Sequence, residues 1–200
     1  MPEPHIQFYS TAELEEFANI ILSKFYHTED VLPVEVDLIA EKYLGIDIID
    51  FIGLKEHYGL EAFLALGKKT IYVDQFLMDA EAYLNRYRFT IAEEIGHRML
   101  HSDLFKSVES VEEYFEALDK VKHFQMAKMD KDAKYLAAAI LMPTTTFTKL
   151  TTDYITELDY AGNILRYAVV DKLSKNFIVS FDSASIRFDQ LGLNRLIPKE

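Results

Sequence analysis

The sequence contains no cysteine. Disulfides and thiolate metal ligands are therefore excluded, and any bound metal must be held by histidine and carboxylate side chains. No run of about 18 apolar residues occurs, so the usual signal of a membrane-spanning helix is missing. The opening residues Met1-Pro2-Glu3-Pro4-His5 lack the basic flank and apolar stretch of a secretory signal, which makes a cytoplasmic location the expectation. Positive charge is also short: 21 lysines and arginines face 33 aspartates and glutamates, for a formal charge of -12. Such a chain repels a phosphate backbone unless its basic residues are segregated, so direct nucleic-acid binding is not expected. Internal repeats, low-complexity tracts and flexible linkers are absent too.

What is present fits one core. Half of the 200 residues are apolar, enough for a single domain over 1–200, although a second is not excluded. Ser10 and Glu13 have capping-box spacing, and Leu14, Phe17, Ala18 and Ile21 recur at helical intervals, predicting a helix to about Phe25. Pro33 suits the first turn of a second helix, with Val36, Ile39, Ala40 and Tyr43 as its buried stripe and Gly45 as its stop. Ile46–Phe51, Ala62–Leu66 and Thr70–Val73 are β-prone runs, the last two joined by a turn at Gly67-Lys68-Lys69, and together predict a small antiparallel sheet. From about Met78 the pattern is helical, with breaks near Ser102, at Pro143, and around Gly162 and Ile178. The acidic stretch Glu109–Glu116 also carries Val111, Tyr114, Phe115 and Leu118 and reads as an amphipathic helix. The fold class expected is α+β and mainly helical.

The segment from Arg88 to His101 holds the chemistry. On a helix, Phe89, Ala92, Ile95, Gly96, Met99 and Leu100 form an apolar side. Glu93, His97 and His101 lie four apart on the other side, with Glu94 one position round, so potential ligands and a potential base share an arc. A solvated face supported by Glu-to-His contacts has the same periodicity, and both readings stand at this point.

The words Arg88-Phe89-Thr90-Ile91-Ala92, then Glu94-x-Gly96-His97 and Leu100-His101, resemble the ImmA/IrrE family signature R-F-T-x-A-H-E-x-G-H-x-L-x-H. That family's H-E-x-x-H motif binds zinc through its two histidines, and its glutamate activates the metal-bound water. The resemblance implies that His97 is a metal ligand and Glu94 the catalytic base, with Glu93 standing at the position of the first histidine. Asp130 to Pro143 resembles a second family word, E-x-x-A-N-x-F-A-A-x-L-L-M-P, whose leading glutamate is the third zinc ligand; Asp130 takes that place. A helical projection puts Asp130 on the side of Ala133, Ala137 and Ile140, facing inward, and Asp132 roughly opposite. The alternative is that Asp130 only caps the helix.

Leu173 to Leu193 resembles the family's C-terminal word, and its spacing also matches a helix-turn-helix. Packing of Ala184, Phe188 and Leu191 into the core is the favoured reading, with Asp182, Asp189 and the single Arg187 on the outer side. His5, His27, His57 and His123 have no ligand spacing and read as ordinary residues. The resemblance thus implies a zincin-like domain, with a metal-site core to about residue 143 and a helical subregion over about 144–200. Its cofactor would be a divalent metal, zinc by resemblance. Two carboxylates and one imidazole make a harder donor set, which brings in manganese, iron or magnesium, and a metal-free state remains open. Two functions follow: a metal-dependent endopeptidase acting on a protein such as a transcriptional repressor, or a non-catalytic relative that binds a protein partner.

Overall fold

Ser10 starts the first helix, α1 (Thr11–Phe25), through a full capping box: its hydroxyl accepts from the Glu13 amide at 3.3 Å, and the Glu13 carboxylate accepts from the Ser10 amide at 2.8 Å. The computed structural model describes residues 6–26, 32–79, 81–158 and 162–198. Leu14, Ala18 and Ile21 form the buried stripe of α1. Helix α2 begins as one turn at Val36–Leu38, just beyond Pro33, and continues as a π-helical segment, Ile39–Leu44, that ends at Gly45 with φ 63°. The wider π turn changes the phase of the stripe. Ile39 and Ala40 are buried, but Tyr43 points outward at 38% exposure, contrary to its expected place in the stripe.

Three strands follow, β1 (Asp47–Phe51), β2 (Ala62–Ala65) and β3 (Thr70–Asp74), with a short helix α3 (Leu54–Tyr58) between the first two. β3 lies in the middle. It pairs antiparallel with β2, Ala62 opposite Val73, and parallel with β1, Asp47 opposite Thr70. The sheet is therefore mixed, and the antiparallel expectation holds only for the β2–β3 hairpin. Between β1 and β3 the chain passes through α3 and β2, a connection long enough to return in the parallel sense. β1 is the open edge, whereas every residue of β2 is buried.

The remaining elements are helical: α4 (Gln75–Asp79), α5 (Leu84–Leu100), α6 (Ser102–Phe105), α7 (Val111–Leu118), α8 (His123–Leu141), α9 (Thr144–Glu157), α10 (Gly162–Phe177) and α11 (Phe181–Gln190). The architecture is α+β and mostly helical, with α5 and α8 packed against each other at its centre. Gly96 makes that approach possible. A Cβ there would stand 2.8 Å from the Ala133 carbonyl oxygen and 3.0 Å from its Cα, closer than real side chains come. α8 also packs on α1, so it has two buried faces. This explains a reversal of the projection: Asp132 is only 2% exposed, whereas the side chain of Asp130 is half exposed. Asp132 accepts from the Tyr9 amide at 3.4 Å and pairs with Lys128.

The C-terminal helices pack inward as expected, with Ala184 and Phe188 fully buried. Arg187 departs from expectation. It is buried, not on the outer side, and donates to both carboxylate oxygens of Glu15 at 2.6 and 3.0 Å and to the Met142 carbonyl at 3.1 Å. This clasp ties α11 to α1 and to the α8–α9 junction, and it leaves Asp182 and Asp189 on the exposed side of α11. Among the described residues no helix is long and apolar enough to cross a membrane.

The Gly96 contact yields a sharp expectation. Alanine normally favours a helix interior over glycine by about 1 kcal/mol. Gly96→Ala should nonetheless destabilise the fold by about 1–3 kcal/mol through overpacking, read by urea unfolding. A variant as stable as the parent would show that the two helices are not held at this distance.

Candidate active site between α5 and α8

Close packing of α5 on α8 decides which groups lose water. Glu94, His97 and, just past the helix end, His101 are 7%, 6% and 4% exposed. That burial overturns the solvated-face reading of the helix. Glu93 is partly covered, with 23% of its side chain exposed. From α8, Asp130 brings its Oδ1 to 4.0 Å from His97 Nε2. Lys134, four residues further along α8, places its Nζ 3.7 Å from Glu93 Oε1. The structure thus sets His97 beside Asp130, and Glu93 beside a lysine.

Burial drives the charge states. It pushes the Glu94 carboxyl up to about 8, reinforced by the charges of Glu93 and Asp130, so the group holds a proton at neutral pH. Glu93 is raised by burial to about 7, pulled back by Lys134 and pushed up by Asp130. Asp130 is also raised by burial, against the opposing pull of Lys134. His97 is lowered to about 3 by burial, then by His101 and Lys134. His101 falls to about 4 through burial, with Asp132 working against the shift. Both imidazoles are therefore neutral, and their Nδ1 atoms face each other at 3.2 Å. One must donate to the other. The 4.0 Å between His97 Nε2 and Asp130 Oδ1 is too long for a hydrogen bond. His101 Nε2 is buried and unpartnered, as is Glu94 Oε2.

Aromatic rings close the site. Phe105 meets His97 edge-on at 5.8 Å and stacks on Tyr114 at 5.5 Å. Burial raises the Tyr114 phenol, with further upward contributions from Glu94, Asp130 and Glu93, so its hydroxyl stays protonated beside the acidic groups. Tyr114 and Lys134 were not singled out from sequence. Lys134 had a usable signal, its four-residue spacing from Asp130; Tyr114 sits in the ordinary apolar stripe of α7 and had none. Of the other histidines, His57 and His123 are exposed, while His5 and His27 lie outside the described residues.

A metal ion needs converging donors with free lone pairs. Among the described residues no three histidine, aspartate or glutamate side chains come together in that way. Glu93 is engaged with the Lys134 ammonium, apart from the approach of His97 and Asp130. As arranged, these residues do not fit a zinc ion.

Two likenesses to known proteins bear on this site's family and fold. A family model for Peptidase_M78, IrrE N-terminal-like domain, matches residues 42–189. A solved structure of a Mycobacterium tuberculosis transcriptional regulator aligns with TM-score 0.59 and 15% identity, over 89% of this chain and 46% of that one. The second is a likeness of fold, and this chain spans less than half the length of that regulator. No curated protein matches the sequence.

The charge states predict a pH dependence that Glu94 dominates. Its folded pKa lies above the unfolded value, so its contribution is complete below about 4.5 and is lost as pH rises toward 8. Glu94→Gln removes that loss. Relative to the parent, the variant should gain on the order of 3 kcal/mol between pH 5 and pH 8.5 in urea unfolding. Parallel pH profiles for the two proteins would mean that Glu94 is ionised in the fold.

Proposed function

We propose that this chain, which belongs to the Peptidase_M78 family of IrrE N-terminal-like domains, is a protein-binding regulator that keeps the peptidase fold without metal-dependent hydrolysis. One observation carries the reading: Glu93, at the position where the ImmA/IrrE pattern has a zinc-binding histidine, pairs with Lys134 instead of converging with His97 and Asp130. The partner class is a protein, and the family resemblance implies a transcriptional repressor met in the cytoplasm. The likeness to a transcriptional regulator accords with that setting. Direct contact with nucleic acid forms no part of the reading, because the charge is -12 and the exposed side of α11 presents Asp182 and Asp189.

A hydrolytic reading has its own observation. Glu94 Oε2 is buried with no protein hydrogen-bond partner, which leaves this carboxyl oxygen available to a reacting group as a general base requires. In that reading manganese, iron or magnesium would suit the hard donor set better than zinc. The two readings separate in a cleavage assay on a fluorescence-quenched peptide library, run with zinc, manganese, ferrous iron or magnesium added in turn. The parent protein should cleave no faster than Glu94→Gln under any of these conditions. Metal-stimulated cleavage that disappears in Glu94→Gln would overturn the proposal and make the protein a peptidase.

A further inference from the structure

The Glu93–Lys134 contact joins two of the places where the chain departs from the family words at this site, where Asp130 also stands in place of a glutamate. Glu93 replaces the first histidine of H-E-x-x-H, and Lys134 replaces the asparagine of E-x-x-A-N. The two lie on different helices, far apart in sequence, yet their charged ends stand 3.7 Å apart. His97 Nε2 stands 4.0 Å from Asp130 Oδ1, so the three side chains to which the resemblance assigns a metal are split between an ammonium contact at Glu93 and a histidine–aspartate approach. Asp130 lies one helical turn before Lys134 on α8, so both side chains leave the same helix face toward α5. Without a cation, two carboxylates would stand in a half-covered cleft with no positive charge opposite Glu93, an arrangement that costs free energy unless the charge is matched.

We infer that the Lys134 ammonium is a built-in replacement for the metal ion, and that Glu93 and Lys134 form a compensated exchange in which a histidine–metal contact has become a carboxylate–ammonium pair. The inference rests on the non-hydrolytic reading above and names the group that maintains it. A divalent ion arriving at Glu93, His97 and Asp130 would meet a positive charge already in place, so restoring the histidine alone does not restore the site. Both partners of the pair must change.

The experiment is a calorimetric titration of zinc chloride into the full chain and three variants: Glu93→His, Lys134→Asn and the double variant Glu93→His/Lys134→Asn. The parent and both single variants should lack stoichiometric zinc binding. The double variant should bind one zinc at least about 10- to 100-fold more tightly than Glu93→His, the scale on which a ligand's neighbours tune metal affinity, and should lose it on adding His97→Ala. Equal affinities for Glu93→His and the double variant, or no binding by the double variant, would overturn the role of Lys134 while leaving the non-hydrolytic reading intact. Zinc bound by the parent through His97, together with peptide cleavage, would overturn both. Melting temperatures give a second readout that needs no metal. The loss caused by Lys134→Asn should be largely recovered by adding Glu93→Gln, since the carboxylate left unpaired is then gone. An undiminished loss in that pair of substitutions would count against the compensated exchange.

Discussion

The contact of Gly96 with Ala133 fixes the distance between α5 and α8, and nearly every property of the site depends on that distance. With the two helix backbones this close, the side chains on the α5 side of the contact lose their water, whereas Asp130 and Lys134 on α8 stay 50% and 55% exposed. Glu94 and His97 are neighbours of Gly96 on α5, while Asp130 and Lys134 flank Ala133 on α8. The same packing that builds the core therefore brings four ionisable groups into one partly dry cleft. The buried groups among them have little access to water, so each must settle its charge locally.

They settle it in different ways. Glu94 takes a proton, His97 and His101 give theirs up, and Glu93 borrows the charge of Lys134. Elsewhere in the molecule buried charge is handled by pairing: Asp132 with Lys128, and Arg187 with Glu15. The Arg187 clasp also does mechanical work. By holding the Glu15 carboxylate, the Met142 carbonyl and the Thr144 hydroxyl together, it fixes the C-terminal helices to the helices that carry the site. Removing one partner of such a buried pair would leave an uncompensated charge in the core.

Much of this was legible from residue pattern. The three strands fall within a residue or so of the β-prone runs, and the α1 capping box forms as its spacing predicts, because both depend on local chemistry. The helix over Leu84–Leu100 and the inward packing of Ala184 and Phe188 follow from apolar periodicity. What periodicity could not supply was the number of neighbours a helix has. α8 is covered on two sides, so a single apolar stripe misjudged Asp130 and Asp132, and an arginine on α11 could not be recognised as buried without knowing that Glu15 lies opposite. Tyr43 was misplaced because a π turn shifts the phase that a regular helix would keep. The parallel pairing of β1 depends on the path of the intervening chain, to which strand propensity is blind. Lys134 illustrates the same limit at the site: its spacing from Asp130 was visible, but its partner on α5 was not.

The central claim is that an ammonium stands where a metal-binding relative would hold its ion, and diffraction tests it directly. Crystals of the parent protein grown with zinc in excess would be measured at the zinc absorption edge. The account predicts no anomalous peak among Glu93, His97 and Asp130, with the Lys134 side chain in density beside Glu93. A peak about 2.0–2.1 Å from His97 Nε2, with Lys134 swung away from Glu93, would contradict it.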